Sequence, residues 1–93
     1  SGTTKVLLLN FGGEEERAAL KLTKSLREAD IACEIYPENA KMKKQMEYAN
    51  RRGVPYVAIL GSDELAAGTV TVKNMGSGEQ QSIAQAELIN LLK

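Results

Sequence analysis

The stretch "LGSDELAAGTVTVKNMGSGEQ", residues 60–80, decides the fold, because the pattern of the chain changes within it. Before Gly61, short apolar runs alternate with helical segments, which is typical of a parallel sheet covered by helices. After the segment "SDELAAG" (62–68), which is predicted to be a turn, two short strands follow, separated only by "MGSG" (75–78). Tight turns join antiparallel neighbours. The sequence therefore predicts a sheet that begins parallel and ends in a hairpin.

The remaining elements follow from apolar runs and helical periodicity, and their order is βαβαβββα. Strand–helix–strand crossovers are right-handed and join parallel strands, so the first three strands form a parallel core. The prediction is an α/β fold of three layers, with a mixed five-stranded sheet in the order 2-1-3-4-5, strand 4 antiparallel, and three helices. The strands are predicted at 5–11, 31–37, 54–61, 69–74 and near 79–83, and the helices at 12–30, 39–53 and 84–93.

Length and composition exclude several classes of function. The 93 residues are enough for a single domain, predicted over 3–93, and Ser1 and Gly2 are interpreted as an expression scar. Twelve basic and twelve acidic residues cancel, so no global field attracts the chain to nucleic acid or to a membrane. The absence of histidine removes the commonest general base and metal ligand, and the lone Cys33 excludes an intrachain disulfide. No catalytic residue, metal site or membrane partner is predicted.

The segment "NFGGEEE" (10–16) places glycines between a strand and a helix, as nucleotide-binding loops do. Its spacing fits neither G-x-G-x-x-G nor the phosphate-loop pattern. A phosphate at this helix N-terminus would also be repelled by Glu14, Glu15 and Glu16. We therefore interpret the segment as a strand-to-helix turn with a charged first turn.

The second helix combines an apolar stripe with a basic one. Asn39 is its predicted N-cap, and Met42, Met46 and Ala49 form the apolar stripe. At 100° per residue, a second stripe lies beside the apolar one and consists of Lys41, Lys44, Gln45, Tyr48 and Arg52. A local basic patch of this kind can hold a phosphate backbone. The alternative interpretation is a solvated helix face that is rich in lysine.

The strand "TVTVKN" (69–74) alternates polar with apolar residues. Thr69, Thr71 and Lys73 project to one face and the two valines between them to the other. Glu64 precedes this strand in the predicted turn. A carboxylate that accepts from amines and an ammonium that donates to carbonyl oxygens can discriminate base edges. An ordinary exposed strand face is the competing interpretation, because threonine is a good strand former.

Three segments together carry a resemblance to a known family: "IYPENAKMKKQ" (35–45), "YANRRGVPYVAIL" (48–60) and "GSDELAAGTVTVKNMGSGEQ" (61–80). They resemble the C-terminal anticodon-binding domain of histidyl-tRNA synthetase and, more broadly, the domain shared by the class IIa synthetases for histidine, threonine, proline and glycine. The resemblance covers 5–93 and implies the class IIa anticodon-binding fold, a mixed sheet like the predicted one.

The resemblance implies that the partner is the anticodon loop of tRNA-His, whose GUG bases would be splayed and recognised along their edges. Glu64 and Lys73 match base-contacting residues of the family, and Asn39 and Lys41 match a further contact region. From their positions, the residues added to this candidate set are Tyr36, Lys44, Gln45, Thr69 and Thr71.

For the parent protein, the resemblance implies a cytoplasmic, homodimeric histidine–tRNA ligase that uses ATP with Mg²⁺. Nothing in the sequence resembles the class II catalytic core, so the chain is expected to be non-catalytic alone, to hold no cofactor, and to work beside a catalytic domain of the same polypeptide. The alternative is a synthetase-like accessory or regulatory domain that makes protein–protein contacts without tRNA charging. A flavodoxin-like small-ligand binder is disfavoured by the acidic residues of "NFGGEEE".

Overall fold

The computed structural model describes residues 3–93; Ser1 and Gly2, interpreted as an expression scar, lie outside the described residues. Strands and helices alternate up to the third strand, as predicted. The strands are β1 (Val6–Leu8), β2 (Cys33–Ile35), β3 (Tyr56–Ile59), β4 (Thr69–Asn74) and β5 (Gln80–Ala84). The helices are α1 (Gly13–Glu28), α2 (Met42–Arg52), α3 (Ser62–Ala67) and α4 (Leu88–Leu92), with a 3₁₀ turn, Gln85–Glu87, before α4.

The sheet has the order β2-β1-β3-β4-β5, which confirms the predicted mixed sheet. Strand β1 runs parallel to β2 and β3, whereas β4 runs antiparallel to β3 and β5. In this register Thr71 stands opposite Ile59 on one side and Ser82 on the other. Lys73 stands between Val57 and Gln80. Because paired residues point to the same face of an antiparallel ladder, Thr71 and Lys73 share a face with these neighbours.

Helices cover the two faces of the sheet unequally, which gives the three predicted layers. Helices α1 and α4 pack on one face, against a cluster that includes Leu8, Leu26, Val70 and Leu88. Helix α2 packs on the other face, mainly over β1 and β3. That second cluster consists of Leu7, Leu9, Tyr36, Ala49, Val54, Val57 and Ile59. On the α2 side, the side chains of β4 and β5 take no part in the buried cluster.

The segment predicted as a turn at 62–68 is instead a helix, so the described residues contain four α-helices rather than three. Two signals in the sequence stabilise α3. Glu64 in its first turn accepts a hydrogen bond from the N–H of Gly61 at 2.9 Å. Gly68 ends the helix with a φ of 71°, a left-handed conformation that favours glycine. The helix is six residues long, which is why periodicity did not reveal it.

The predicted start and buried face of α2 also need correction. The N-cap position is occupied by Lys41 and not by Asn39, and Lys41 makes no side-chain capping bond. Met42, predicted in the apolar stripe, is 43% exposed, whereas Gln45 is fully buried. The helix therefore turns Gln45, Met46 and Ala49 toward the sheet.

Within residues 3–93, no helix combines the length and the apolar character that crossing a membrane would require. The same residues contain no cluster of three or more histidine, cysteine, aspartate or glutamate side chains that could hold a metal ion.

Candidate nucleic-acid interface

The α2 side of the β4–β5 hairpin forms a polar surface that is open to solvent. We call it the hairpin face. On β4 its side chains are half-buried, and on β5 they are exposed. The opposite side of β4 is closed, because Val70 and Val72 are buried beneath α4. The hairpin face consists of Thr69, Thr71, Lys73, Gln80, Ser82 and Ala84.

Glu64 is held against this face by two hydrogen bonds from different elements. Its Oε2 accepts the hydroxyl proton of Thr71 at 2.7 Å, and its Oε1 accepts the N–H of Gly61 at 2.9 Å. The bond from Thr71 is the main reason that the pKa of Glu64 lies below its ordinary value of 4.5, while partial burial opposes this shift. A carboxylate that is ionised at neutral pH therefore lies beside the middle of β4.

Lys73 lines a groove of about 370 Å³ between α2 and the turn after β4. The turn is fixed by its backbone, because the N–H of Met75 donates to the carbonyl of Pro55 at 2.8 Å. The groove combines two lysines and a carboxylate with two thioether side chains. Its lining residues are Lys43, Met46, Glu47, Asn50, Lys73, Met75 and Gly78.

Lys43 is a basic residue of this site that the sequence analysis did not single out. The helical wheel favoured Lys44, because Lys44 shares a stripe with Lys41. In the structure Lys44 is turned away from the groove toward Glu38, with 3.6 Å between its Nζ and the carboxylate. Lys43 lines the groove together with Lys73. The signal was present in the sequence, since Lys43, Glu47 and Asn50 recur at helical spacing.

The loop that precedes α2 is exposed and lies against the loop that follows β1. Asn39 and Lys41 are both exposed. A Cβ atom added to Gly12 would lie 2.8 Å from Nδ2 of Asn39, so a larger residue there would force the Asn39 side chain to move. Gly12 also has a φ of 77°. Asn39 therefore contacts the β1–α1 loop instead of capping α2.

Gln45 has no surface to offer a ligand, so its place in the candidate set is corrected. Its Oε1 accepts the N–H of Asn10 at 2.7 Å. Its Nε2 donates to the carbonyl oxygens of Asn10 and Ala40, each at 2.7 Å. The whole amide group is thus used inside the protein, where it joins the end of β1 to the start of α2.

Tyr36 is corrected in the same way, because its side chain is 7% exposed and belongs to the cluster under α2. Its ring packs edge-on against Tyr48, with 5.3 Å between the ring centroids. Tyr48 in turn donates to Glu34 at 3.1 Å. Arg52 is paired with the same carboxylate at 2.9 Å. The C-terminal part of the predicted basic stripe is therefore engaged at the β2 edge of the sheet.

The predicted residues thus fall into separate places. The structure brings Glu64, Thr71 and Lys73 together on one open face, with Thr69 beside them. It leaves Asn39, Lys41 and Lys44 exposed around the start of α2 and buries Gln45 and Tyr36. The hairpin face can accept hydrogen bonds at Glu64 and donate them at Lys73. The groove between α2 and the hairpin adds the thioether surface of Met46 and Met75.

Comparison with known proteins gives consistent matches along the chain. Residues 5–93 match the family model of the anticodon binding domain. The chain is 44% identical over 90 residues to the histidine–tRNA ligase of Phocaeicola vulgatus, covering 97% of this chain and 20% of that protein. It is 47% identical over 90 residues to the histidine–tRNA ligase of Christiangramia forsetii, again covering 97% of this chain and 20% of that protein.

A solved structure is similar as well. The crystal structure of histidyl-tRNA synthetase from Nostoc sp. PCC 7120 superimposes with a TM-score of 0.91 at 30% sequence identity. The match covers 96% of this chain and 21% of that one. The chain spans about a fifth of the length of the curated relatives it matches.

Proposed function

The chain belongs to the anticodon binding domain family, and from this premise we propose that it binds the anticodon loop of a tRNA on the hairpin face. The observation that carries the proposal is the open, polar side of β4, with Glu64 held beside Thr71 and Lys73 lining the adjacent groove. Antiparallel sheets commonly leave one polar face open to water; what favours a ligand on this one is that a carboxylate is held in place beside Thr71 while an ammonium lines the adjacent groove.

The tRNA that we propose is tRNA-His. Relatives over the full matched region are histidine–tRNA ligases, and the chain covers only about a fifth of their length. We infer that the remaining part of such a ligase would bind ATP with Mg²⁺ and join histidine to tRNA in the cytoplasm. Residues 5–93 would then supply recognition of the anticodon, which is GUG because the histidine codons are CAC and CAU.

The bases would be distinguished by the two charged groups. Specific recognition of single-stranded loops uses unstacked bases and hydrogen bonds to their edges. The Glu64 carboxylate accepts from amine and ring N–H groups, and the Lys73 ammonium donates to carbonyl oxygens. The groove beside Lys73 adds the apolar surface of Met46 and Met75, against which the face of one base can lie.

The phosphates would be bound by lysines near the start of α2. Lys41, Lys43 and Lys44 are exposed there. Contacts of this kind position RNA without regard to sequence and weaken as salt displaces them, whereas contacts to base edges carry the sequence information. The chain has no net charge, so this local cluster and Lys73 supply the attraction.

The test is binding of the 93-residue chain to two RNA stem-loops that differ only in the loop sequence, measured by fluorescence anisotropy across a salt series. We expect the GUG loop to bind more tightly than a scrambled loop, and both to weaken as the salt concentration rises. Equal affinity for the two loops at every salt concentration would contradict the proposal and would favour an accessory domain for protein contacts.

A further inference from the structure

We propose that Thr71 is a positioning residue: its hydroxyl holds the Glu64 carboxylate in the orientation in which the carboxylate accepts from a base, and the hydroxyl does not itself donate to RNA. The inference rests on the proposed function, because it assigns Glu64 to base recognition. It changes the role expected for Thr71 from the sequence, which was that of a further contact.

The hydroxyl proton of Thr71 is already used within the protein. A threonine hydroxyl has one proton, and Thr71 donates it to Oε2 of Glu64 at 2.7 Å, within the usual range for O–H···O bonds. A base that required this proton would have to displace the carboxylate. Donation to Glu64 therefore competes with donation to RNA.

Thr71 is also a rigid donor. Thr71 lies in the middle of β4 and is paired with Ile59 on β3 and Ser82 on β5, so its backbone is held from both sides. Its β-branched side chain has restricted rotation about χ1. The sheet therefore fixes the position of the Thr71 hydroxyl, and the hydrogen bond from this hydroxyl fixes the position of the Glu64 carboxylate.

The two carboxylate oxygens of Glu64 are held from different elements. Thr71 on β4 binds one oxygen, and the N–H of Gly61 after β3 binds the other at 2.9 Å. Each carboxylate oxygen has two lone pairs. Together with the N–H of Glu64 itself, these donors use at most three of the four lone pairs, so at least one remains for an N–H donor of a ligand. The arrangement fixes the orientation of Glu64 without consuming its capacity to accept.

The bond also extends to lower pH the range in which Glu64 is charged. The hydrogen bond from Thr71 is the main cause that lowers the pKa of this carboxyl. A protonated carboxyl would present an O–H donor in place of one acceptor and would invert recognition at that position. Removing the donor is therefore expected to raise the pH at which the Glu64 contact fails.

The competing explanation is that the bond only attaches α3 to β4, which are in contact. The test compares Thr71→Val, which keeps the side-chain shape without the donor, with Thr71→Ser, which keeps the hydroxyl. Ser25→Ala is the matched control, since it removes a hydroxyl from an exposed position on α1, across the sheet. Thr71→Ala replaces Thr71→Val should the latter fail to fold. For each variant, the affinities for the GUG and the scrambled loop and the thermal midpoint are measured.

We expect Thr71→Val to lower the preference for the GUG loop about tenfold, as loss of a hydrogen bond to a charged group does. Ser25→Ala should keep the preference, and Thr71→Ser, which keeps the donor but loses the β-branch that restricts χ1, should keep most of it. As the pH is lowered, binding of the GUG loop by Thr71→Val should fail at a higher pH than binding by the unchanged chain. In a Glu64→Gln background, Thr71→Val should have little further effect, because the residue acts through Glu64.

Three outcomes would overturn the inference. If Thr71→Val keeps the preference and the pH profile and lowers only the thermal midpoint, the bond is structural. If Thr71→Val and Glu64→Gln reduce the preference additively, Thr71 acts independently of Glu64. If the unchanged chain itself binds both loops equally, the proposed function fails and this inference fails with it; the first two results leave the proposed function standing.

Discussion

On the α2 side of the sheet, similar polar side chains are buried and bonded within the protein in one half but open to solvent in the other. On α2, where the helix meets the parallel half of the sheet, Gln45 is fully buried and uses its whole amide group in bonds to Asn10 and Ala40. On the hairpin, Gln80 is exposed, and Thr71 donates to a carboxylate that keeps a free lone pair. A helix covers one half and leaves the other open, and that difference decides which polar groups are structural.

The physical basis is the cost of leaving a buried polar group without a partner. Covered groups must be satisfied inside the protein, and among the described residues every buried side-chain nitrogen and oxygen has a hydrogen-bond partner. Groups on an open surface are hydrated, so they can exchange water for a ligand at small cost. Whether a polar side chain can bind a ligand therefore depends less on its residue type than on whether a helix covers it.

The largest effect is expected at Gln45. Gln45→Leu should lower the free energy of unfolding by about 3 kcal/mol, because it leaves the N–H and carbonyl of Asn10 and the carbonyl of Ala40 without their side-chain partner. Urea unfolding measures the change. Gln80→Leu is the matched control on the open half and should change stability by no more than about 0.5 kcal/mol. Equal losses for the two variants would show that the two halves do not differ in this way.

The next effect concerns binding by Lys73. Lys73→Ala should weaken binding of the GUG loop by about 1–3 kcal/mol and relax discrimination at one base, with little change in stability. Anisotropy titrations with loops substituted one base at a time give both quantities. Lys24→Ala, which removes an exposed lysine from α1, should leave binding unchanged. If Lys73→Ala weakened every loop equally, the lysine would contact a phosphate instead of a base.

A smaller effect separates two adjacent lysines of α2. Lys43 lines the groove with Lys73, whereas Lys44 has Glu38 beside it. We expect Lys43→Ala to weaken all loops alike and to reduce the slope of log K against log salt by about 1. Lys44→Ala should act in the same direction but less, because Glu38 already offsets part of its charge. The reverse order would place the phosphates along the β2 edge.

The smallest effect lies at that edge, where Glu34 accepts from Thr4, Tyr48 and Arg52. The bond from Thr4 is the main cause that lowers the pKa of this carboxyl below 4.5. The folded state therefore favours the ionised form, and the resulting stabilisation is full above pH 4.5 and is lost as the pH falls through the lowered pKa.

Glu34→Gln should cost no more than about 1 kcal/mol at neutral pH, because the pair with Arg52 is partly exposed. It should also make stability less dependent on pH below 4.5. Urea midpoints at a series of acidic pH values measure this dependence. A steeper loss of stability in the variant than in the unchanged chain would contradict the assignment.

Much of the fold could be predicted because it follows from local rules. Crossover handedness and tight turns determined the strand order, and the alternation in "TVTVK" identified the two sides of β4. The short helix α3 was missed because six residues do not give a periodic pattern, although Glu64 and Gly68 carried its start and end signals.

The candidate site could be predicted only in part, because the errors depend on contacts between distant segments. A helical wheel places Gln45 beside Lys41, but it does not show which side of the helix meets the sheet. On the side that does, Gln45 bonds to the backbone of Asn10, which is 35 residues away in the chain. Tyr36 was added to the candidate set from its position in the sequence, whereas the parallel half of the sheet buries its ring.

The antiparallel pairing of the hairpin has a consequence for the order of assembly. Lys73 and Gln80 are close along the chain, whereas Val6 of β1 must meet Tyr56 of β3. The entropic cost of closing a loop grows with its length, so β4 and β5 can pair before the parallel strands find one another. The register of Thr71 and Lys73 is thus set by the most local contacts of the sheet. Glu64 is also close to them along the chain, because α3 directly precedes β4.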